Sequence, residues 1–155
     1  MPSVLLPVPH RSQSYEASCL AASVEMVLAY LGRRTTEKHL NRLFGSSVMD
    51  GTPFSRVVRV ERMGFRVEHI QLEENDVRRR IHRQQPIITP LWTQMLPYWT
   101  YPTAHVAVVV GYDDHYVYLN DPAFPAAPQP VLWDGFLAAW EEYDQMAAII
   151  QPAAP

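Results

Sequence analysis

His105-Val-Ala-Val-Val-Val-Gly-Tyr-Asp-Asp-His-Tyr-Val-Tyr-Leu-Asn-Asp121-Pro122 is the stretch on which the fold turns. Its first half, His105 to Tyr112, is almost continuous valine, the pattern of a central strand covered on both faces. Gly111 to His115 reads as a turn. Tyr116 to Asn120 is the returning strand, with Tyr116, Tyr118 and Asn120 on one side. Two strands this close in sequence pair antiparallel, because a parallel pair needs a long crossover.

Upstream the period changes from two to that of a helix. Leu20, Val24, Val27, Leu28 and Leu31 recur at three- and four-residue spacing, which predicts an amphipathic helix from about Cys19 to Leu31. Ser18 suits its N-cap and Gly32 its C′ position. Thr36 to Phe44 predicts a second helix ended by Gly45. A third begins at Thr52-Pro53, runs through Val57, Val58 and Met63, and ends at Gly64. Phe65 to Leu72 alternates as a strand, with Phe65, Val67 and His69 on one face. Asn75 or Asp76 is placed to cap a helix through Val77, Ile81 and His82. Ile87 to Thr89 is a short strand, Trp133 to Tyr143 a helix and Met146 to Ile150 a final strand. Helices come first and strands dominate later. This order predicts an α+β fold, with N-terminal helices packed on an antiparallel sheet, rather than a doubly wound parallel one. Residues 1–150 read as a single domain and 151–155 as a short loose tail. The proline-rich stretches, 122–130 among them, read as rigid loops or strand ends.

The chain has 155 residues, 48% of them hydrophobic and 19% charged, enough for one domain with a real core. A net charge of −3 and a pI near 6.0 argue against a nucleic-acid partner. The one basic cluster, Arg78-Arg79-Arg80 with Arg83, reads as a solvated helix face. A single cysteine excludes an intrachain disulfide and a cysteine-rich zinc site. No segment resembles a signal peptide or a membrane span, and a cytoplasmic location is expected. No cofactor or metal is expected; His10, His39, His69, His82 and His115 have no metal-ligand spacing.

Cys19 stands at the start of its helix, where unpaired backbone N–H groups and the macrodipole favour a thiolate, the reactive form of cysteine. His105 opens the buried strand and is the best candidate for its base. Asp121 follows the adjacent strand and is placed to accept the His105 Nδ1–H; Asn120 is the rival for that role. Gln13, six residues before Cys19, and the Cys19 backbone N–H are candidates to hold the oxyanion of an acyl-transfer intermediate. The aromatic segment Trp92 to Tyr101 either packs over the core or walls the substrate cleft, which makes Trp99 and Tyr101 candidate substrate-binding residues.

Gln13-Ser-Tyr-Glu-Ala-Ser-Cys19-Leu-Ala-Ala and Met26-Val-Leu-Ala-Tyr-Leu-Gly32 resemble the opening of the papain-like bacteriocin-processing peptidases. His105 to Tyr112 and Tyr116 to Pro122 resemble that family's histidine and aspartate motifs. The resemblance spans nearly the whole chain. It implies a papain-like fold and a cysteine peptidase that removes double-glycine leader peptides. By it, Cys19 is nucleophile, His105 base, Asp121 orienter and Gln13 oxyanion donor. Leu20 stands where the family usually has glycine, so its side chain either narrows the cleft or leans into the core. No exporter domain follows, so a stand-alone form is expected. The substrate is expected to be a peptide or protein, cut after a small, glycine-type residue; the oligomeric state is left open. Two other readings remain: an acyl or peptidyl transferase or amidase using the same residues, and a catalytically silent peptide-binding domain.

Overall fold

In a computed structural model, residues 2–49 and 51–153 are described. The valine run forms β4 (Ala104–Tyr112), and β5 (Tyr116–Asn120) returns antiparallel beside it, with Val108 opposite Asn120. Asp113 makes the turn: its Oδ1 accepts from the backbone N–H of His115 at 2.8 Å and of Tyr116 at 2.7 Å. Every residue from His105 to Gly111 is buried, so both faces of β4 are covered, as a near-continuous apolar run requires.

The remaining strands are β1 (Val4–Leu5), β2 (Phe65–Gln71), β3 (Ile87–Trp92), β6 (Gln129–Leu132) and β7 (Met146–Pro152). The sheet runs β2-β7-β3-β4-β5-β6, with β1 paired to the end of β4, and every pairing is antiparallel. Two strands, β1 and β6, lie in or beside proline-rich stretches read as rigid loops or strand ends. β1 pairs Leu5 with Gly111, and a Cβ at Gly111 would lie 2.5 Å from the Val4 carbonyl oxygen, so glycine is needed for that approach. β6 contains Pro130, tolerated because β6 is the outermost strand. β3 runs on through Pro90 to Trp92. Its pairing with β7 is confined to Ile88, so the missing N–H of Pro90 breaks no ladder on that side. β7 extends through Gln151 and Pro152, paired with Arg66 and Phe65. The tail expected to be loose from Gln151 is therefore ordered strand for two residues; 154 and 155 lie outside the described residues.

The helices are α1 (Cys19–Tyr30), α2 (Glu37–Phe44), α3 (Glu74–His82) and α4 (Trp133–Glu141), with a 3₁₀ helix at Phe54–Met63. α1 ends in a Schellman arrangement: Gly32, at φ +87°, donates to Ala29 O and Arg33 N–H to Leu28 O. Its expected single apolar stripe is a correction. Eight of twelve residues are buried, including Ala21, Ala22 and Ser23. α1 is held between β4 on one side and α2 with the 3₁₀ helix on another, and small side chains let these neighbours approach. Ser18 is a second correction. It makes no cap bond; its Oγ accepts from Asn41 Nδ2 at 2.9 Å, and the chain enters α1 through a 3₁₀ turn at Glu16–Ser18. α3 is capped by Glu73 and not by Asn75 or Asp76, with Asp76 completing a capping box by accepting from the Glu73 N–H. The arginines of α3 are paired: Arg78 with Glu74, Arg79 with Asp76 and Arg80 with Glu68.

Candidate active site

The β4–β5 register brings His105 and Asp121 together. Val108 faces Asn120, so extending the pairing by one residue sets Asp121 opposite Ala107, diagonal to His105 on the same face. Asp121 is fully buried and its carboxylate receives four hydrogen bonds. Oδ1 accepts from His105 Nε2 at 2.6 Å and from the Ala123 N–H at 2.9 Å. Oδ2 accepts from the Tyr98 hydroxyl at 2.7 Å and the Trp99 indole at 3.0 Å. Asn120, the rival, turns away and donates to the Val8 carbonyl at 3.0 Å.

The ring nitrogen that meets the carboxylate is Nε2, where Nδ1 was expected. Cys19 and His105 line one cavity, and with Nε2 held by Asp121, Nδ1 is the ring nitrogen left for the thiol. Strand direction and rotamer decide between the two nitrogens, and neither is visible in the motif. The imidazole is 3% exposed. Burial lowers its basicity, but the hydrogen bond to Asp121, the neighbouring Cys19 side chain and the Asp121 charge outweigh burial and raise the His105 pKa to about 9. Burial likewise pushes Asp121 up, and the His105 bond and charge, with the Ala123 and Trp99 donors, hold it below the usual carboxylate range. Burial and the adjacent Asp121 charge push the Tyr98 hydroxyl far up, so it remains a donor.

Gln13 lies beside this pair. Its backbone N–H donates to the Pro122 carbonyl at 2.9 Å, and His10 Nε2 donates to the Asp121 carbonyl at 2.8 Å, so residues 8–13 are laced to 120–122. Among the described residues the buried Gln13 Oε1 has no hydrogen-bond partner.

A cavity of about 480 Å³ opens beside Cys19 and His105, walled in part by Val48, Met49, Phe54, Pro90 and Tyr143. Three candidate substrate residues lie elsewhere. Leu20 is 1% exposed, belongs to the hydrophobic core and does not line the cavity. Trp99 packs its edge on the His105 ring, centroids 4.6 Å apart, and covers the histidine–carboxylate pair instead of walling the cavity. Tyr101 is exposed and does not line the cavity; its hydroxyl donates to Glu16 at 3.3 Å. Tyr98 and Phe124, whose rings pack at 5.0 Å, complete the cover and were not singled out in the sequence. Tyr98 belongs to the aromatic segment noted there, which was the available signal.

Comparison with known proteins places this arrangement. The model of the Peptidase_C39 like family matches residues 5–148. The chain belongs to that family. A protein of Bacillus anthracis described as a C39-like peptidase superposes with a TM-score of 0.77 at 16% identity, covering 98% of each chain. A double glycine motif protease from an AMS/PCAT transporter, solved with its leader peptide, gives 0.75 at 22% identity, covering 97% of this chain and 96% of that one. A Carica candamarcensis cysteine protease in complex with E-64 gives 0.70 at 12% identity, covering 94% and 93%. None of the curated proteins matches the chain. By family and fold this is a papain-like cysteine peptidase of the C39 type. Among the described residues no helix is long and apolar enough to cross a membrane.

Proposed function

We propose that this peptidase hydrolyses a peptide bond through an acyl-thioester on Cys19. The observation that carries the reading is the His105 ring, which shares a cavity with Cys19 and is held by a buried, fourfold hydrogen-bonded carboxylate. His105 takes the thiol proton on Nδ1, and the sulfur attacks the carbonyl carbon. The oxyanion accepts from the Cys19 backbone N–H and the Gln13 side-chain amide. Nδ1 then protonates the leaving amine, the C–N bond breaks and the thioester remains. A water, deprotonated by the same nitrogen, cleaves the C–S bond and releases the acid. Asp121 stays ionised throughout, orienting the ring and stabilising its positive charge.

The substrate is a peptide. The transporter protease of similar fold was solved with a leader peptide, and cleavage after a small, glycine-type residue is the reading carried to this chain. The Asp121 geometry favours an active site over a silent binding module, since a binder needs no carboxylate locked on a histidine. A mechanism-based electrophile tests the reading. It is expected to label the wild type, not to label Cys19→Ala, and to label His105→Ala far more slowly. Equal labelling of wild type and His105→Ala defeats it.

A further inference from the structure

The two oxyanion donors stand on different pieces of chain. Gln13 belongs to the arm fastened to Pro122, and the Cys19 N–H opens α1. Two donors aimed at one oxygen must keep their geometry to within about 0.5 Å. Between them, residues 14–18 form a bend and a 3₁₀ turn, and α2 holds this stretch at three residues. Both Glu37 carboxylate oxygens accept from the Ser14 N–H at 3.1 Å, and Oε2 also accepts from the Ser14 hydroxyl at 3.3 Å. Asn41 Nδ2 donates to the Tyr15 hydroxyl and to Ser18 Oγ, each at 2.9 Å. Glu37 and Asn41 are four residues apart and so share one face of α2. Leu40 and Phe44, on the same face, are fully buried. Thr36 caps the helix by accepting from the His39 N–H, and Arg59 and Arg56 donate to the Leu43 and Phe44 carbonyls at its other end. Glu37 and Asn41 are therefore presented by an element fixed at both ends and along its core face.

Asn41 is destabilising as a packing group. It is 7% exposed, and among the described residues its buried Oδ1 has no hydrogen-bond partner. An unpaired buried amide oxygen costs stability that an apolar side chain in the same place would not. An apolar side chain could not hold Tyr15 and Ser18. We propose that Glu37 and Asn41 are positioning residues for the oxyanion hole, α2 acting as a splint that fixes the Gln13 amide relative to the Cys19 N–H. The proposal rests on the thioester reading above, with Gln13 as an oxyanion donor.

Steady-state kinetics on a peptide ester, with iodoacetamide alkylation of Cys19 alongside, test the splint. Asn41→Ala is expected to lower kcat by up to about a hundredfold, the scale of a roughly 1 Å misplacement remote from the chemistry, and Glu37→Ala by less. KM and the alkylation rate should stay near wild type, because neither reads the oxyanion. Glu37→Gln keeps one accepting oxygen and should recover part of the Glu37→Ala loss. In a Gln13→Ala background the α2 substitutions should lower kcat by a much smaller factor than in the wild type, because one of the donors they position is gone. Circular dichroism checks folding; Glu37 is only half-buried, so Glu37→Ala carries the test where Asn41→Ala does not fold. Folded α2 variants with wild-type kcat, a loss confined to KM, or factors that multiply in full with Gln13→Ala overturn the splint while the donor reading of Gln13 stands. An unchanged kcat in Gln13→Ala overturns that donor reading, and the splint with it.

Discussion

On one side of the His105 ring lies a carboxylate without solvent exposure, receiving four hydrogen bonds and roofed by Tyr98, Trp99 and Phe124. On the other side the Cys19 thiol faces a cavity whose lip, Val48 and Met49, is apolar and exposed. The same imidazole is thus fixed on its Nε2 edge and turned to the cavity it shares with Cys19 on the other. The contrast follows from what each side has to do. An orienting anion works best where nothing moves and no water competes, because a low local dielectric strengthens its hold on the ring. A nucleophile must be reached by substrate, so its surroundings stay open and are completed only on binding. Changes on the closed side should cost stability and basicity together, and changes on the open side should cost recognition alone.

The largest effect tests the ring shared by both sides. His105→Ala is expected to lower turnover by about 10²–10⁴, the usual worth of a positioned acid–base group, and to slow Cys19 alkylation at pH 6. Steady-state kinetics on a peptide ester and an alkylation time course check it. Gln13→Ala comes next, with kcat expected to fall roughly a hundred- to a thousandfold while KM and alkylation change little. Gln13→Glu should be at least as damaging, because a carboxylate repels the oxyanion. Unchanged kcat in both variants would remove Gln13 from the chemistry.

The closed side also sets a pH dependence. The folded His105 pKa, about 9, lies above its unfolded value near 6.5, so its charged pairing stabilises the fold fully below pH 6.5. That contribution is lost as pH rises through 9. Asp121 is depressed, so its contribution is present above its unfolded pKa near 3.9 and is lost as pH falls through its folded value. Thermal melts of the wild type should therefore decline between pH 6.5 and 9 in a way that Asp121→Asn flattens. A parallel decline in both proteins would show that the pair is not what titrates.

These two sides were unequally legible in the sequence. The β4–β5 hairpin was readable because valine periodicity and the Asp113 turn are local signals, and the hairpin alone brings His105 near Asp121. The Gln13–Cys19 spacing was readable through its resemblance to a family. What closes over Asp121 was not: Tyr98 and Trp99 reach it from 23 and 22 residues away, across a loop whose path only the packed fold sets. For the same reason Trp99 was placed among candidate cleft residues when it covers the carboxylate instead. Leu20 was ambiguous because a helix buried on most sides shows no polar face to orient it. Pro130 concealed β6, since proline marks a loop unless the strand is known to be at an edge.

The smallest expected effects separate the two sides most cleanly. Tyr98→Phe removes one donor to a buried anion and keeps the ring, so it should destabilise the fold by about 1.5–3 kcal/mol, the range for hydrogen bonds to charged groups. Val48→Ser and Met49→Ser alter side chains already largely in water and should change stability by no more than about 0.5 kcal/mol. Denaturant titrations of the three variants measure this directly. If the lip variants prove as costly as Tyr98→Phe, Val48 and Met49 are packing groups and the open side is not open. If they cost nothing while turnover of a peptide ester falls, the lip is there for the substrate. Its exposure is then the unoccupied half of a contact that the peptide completes.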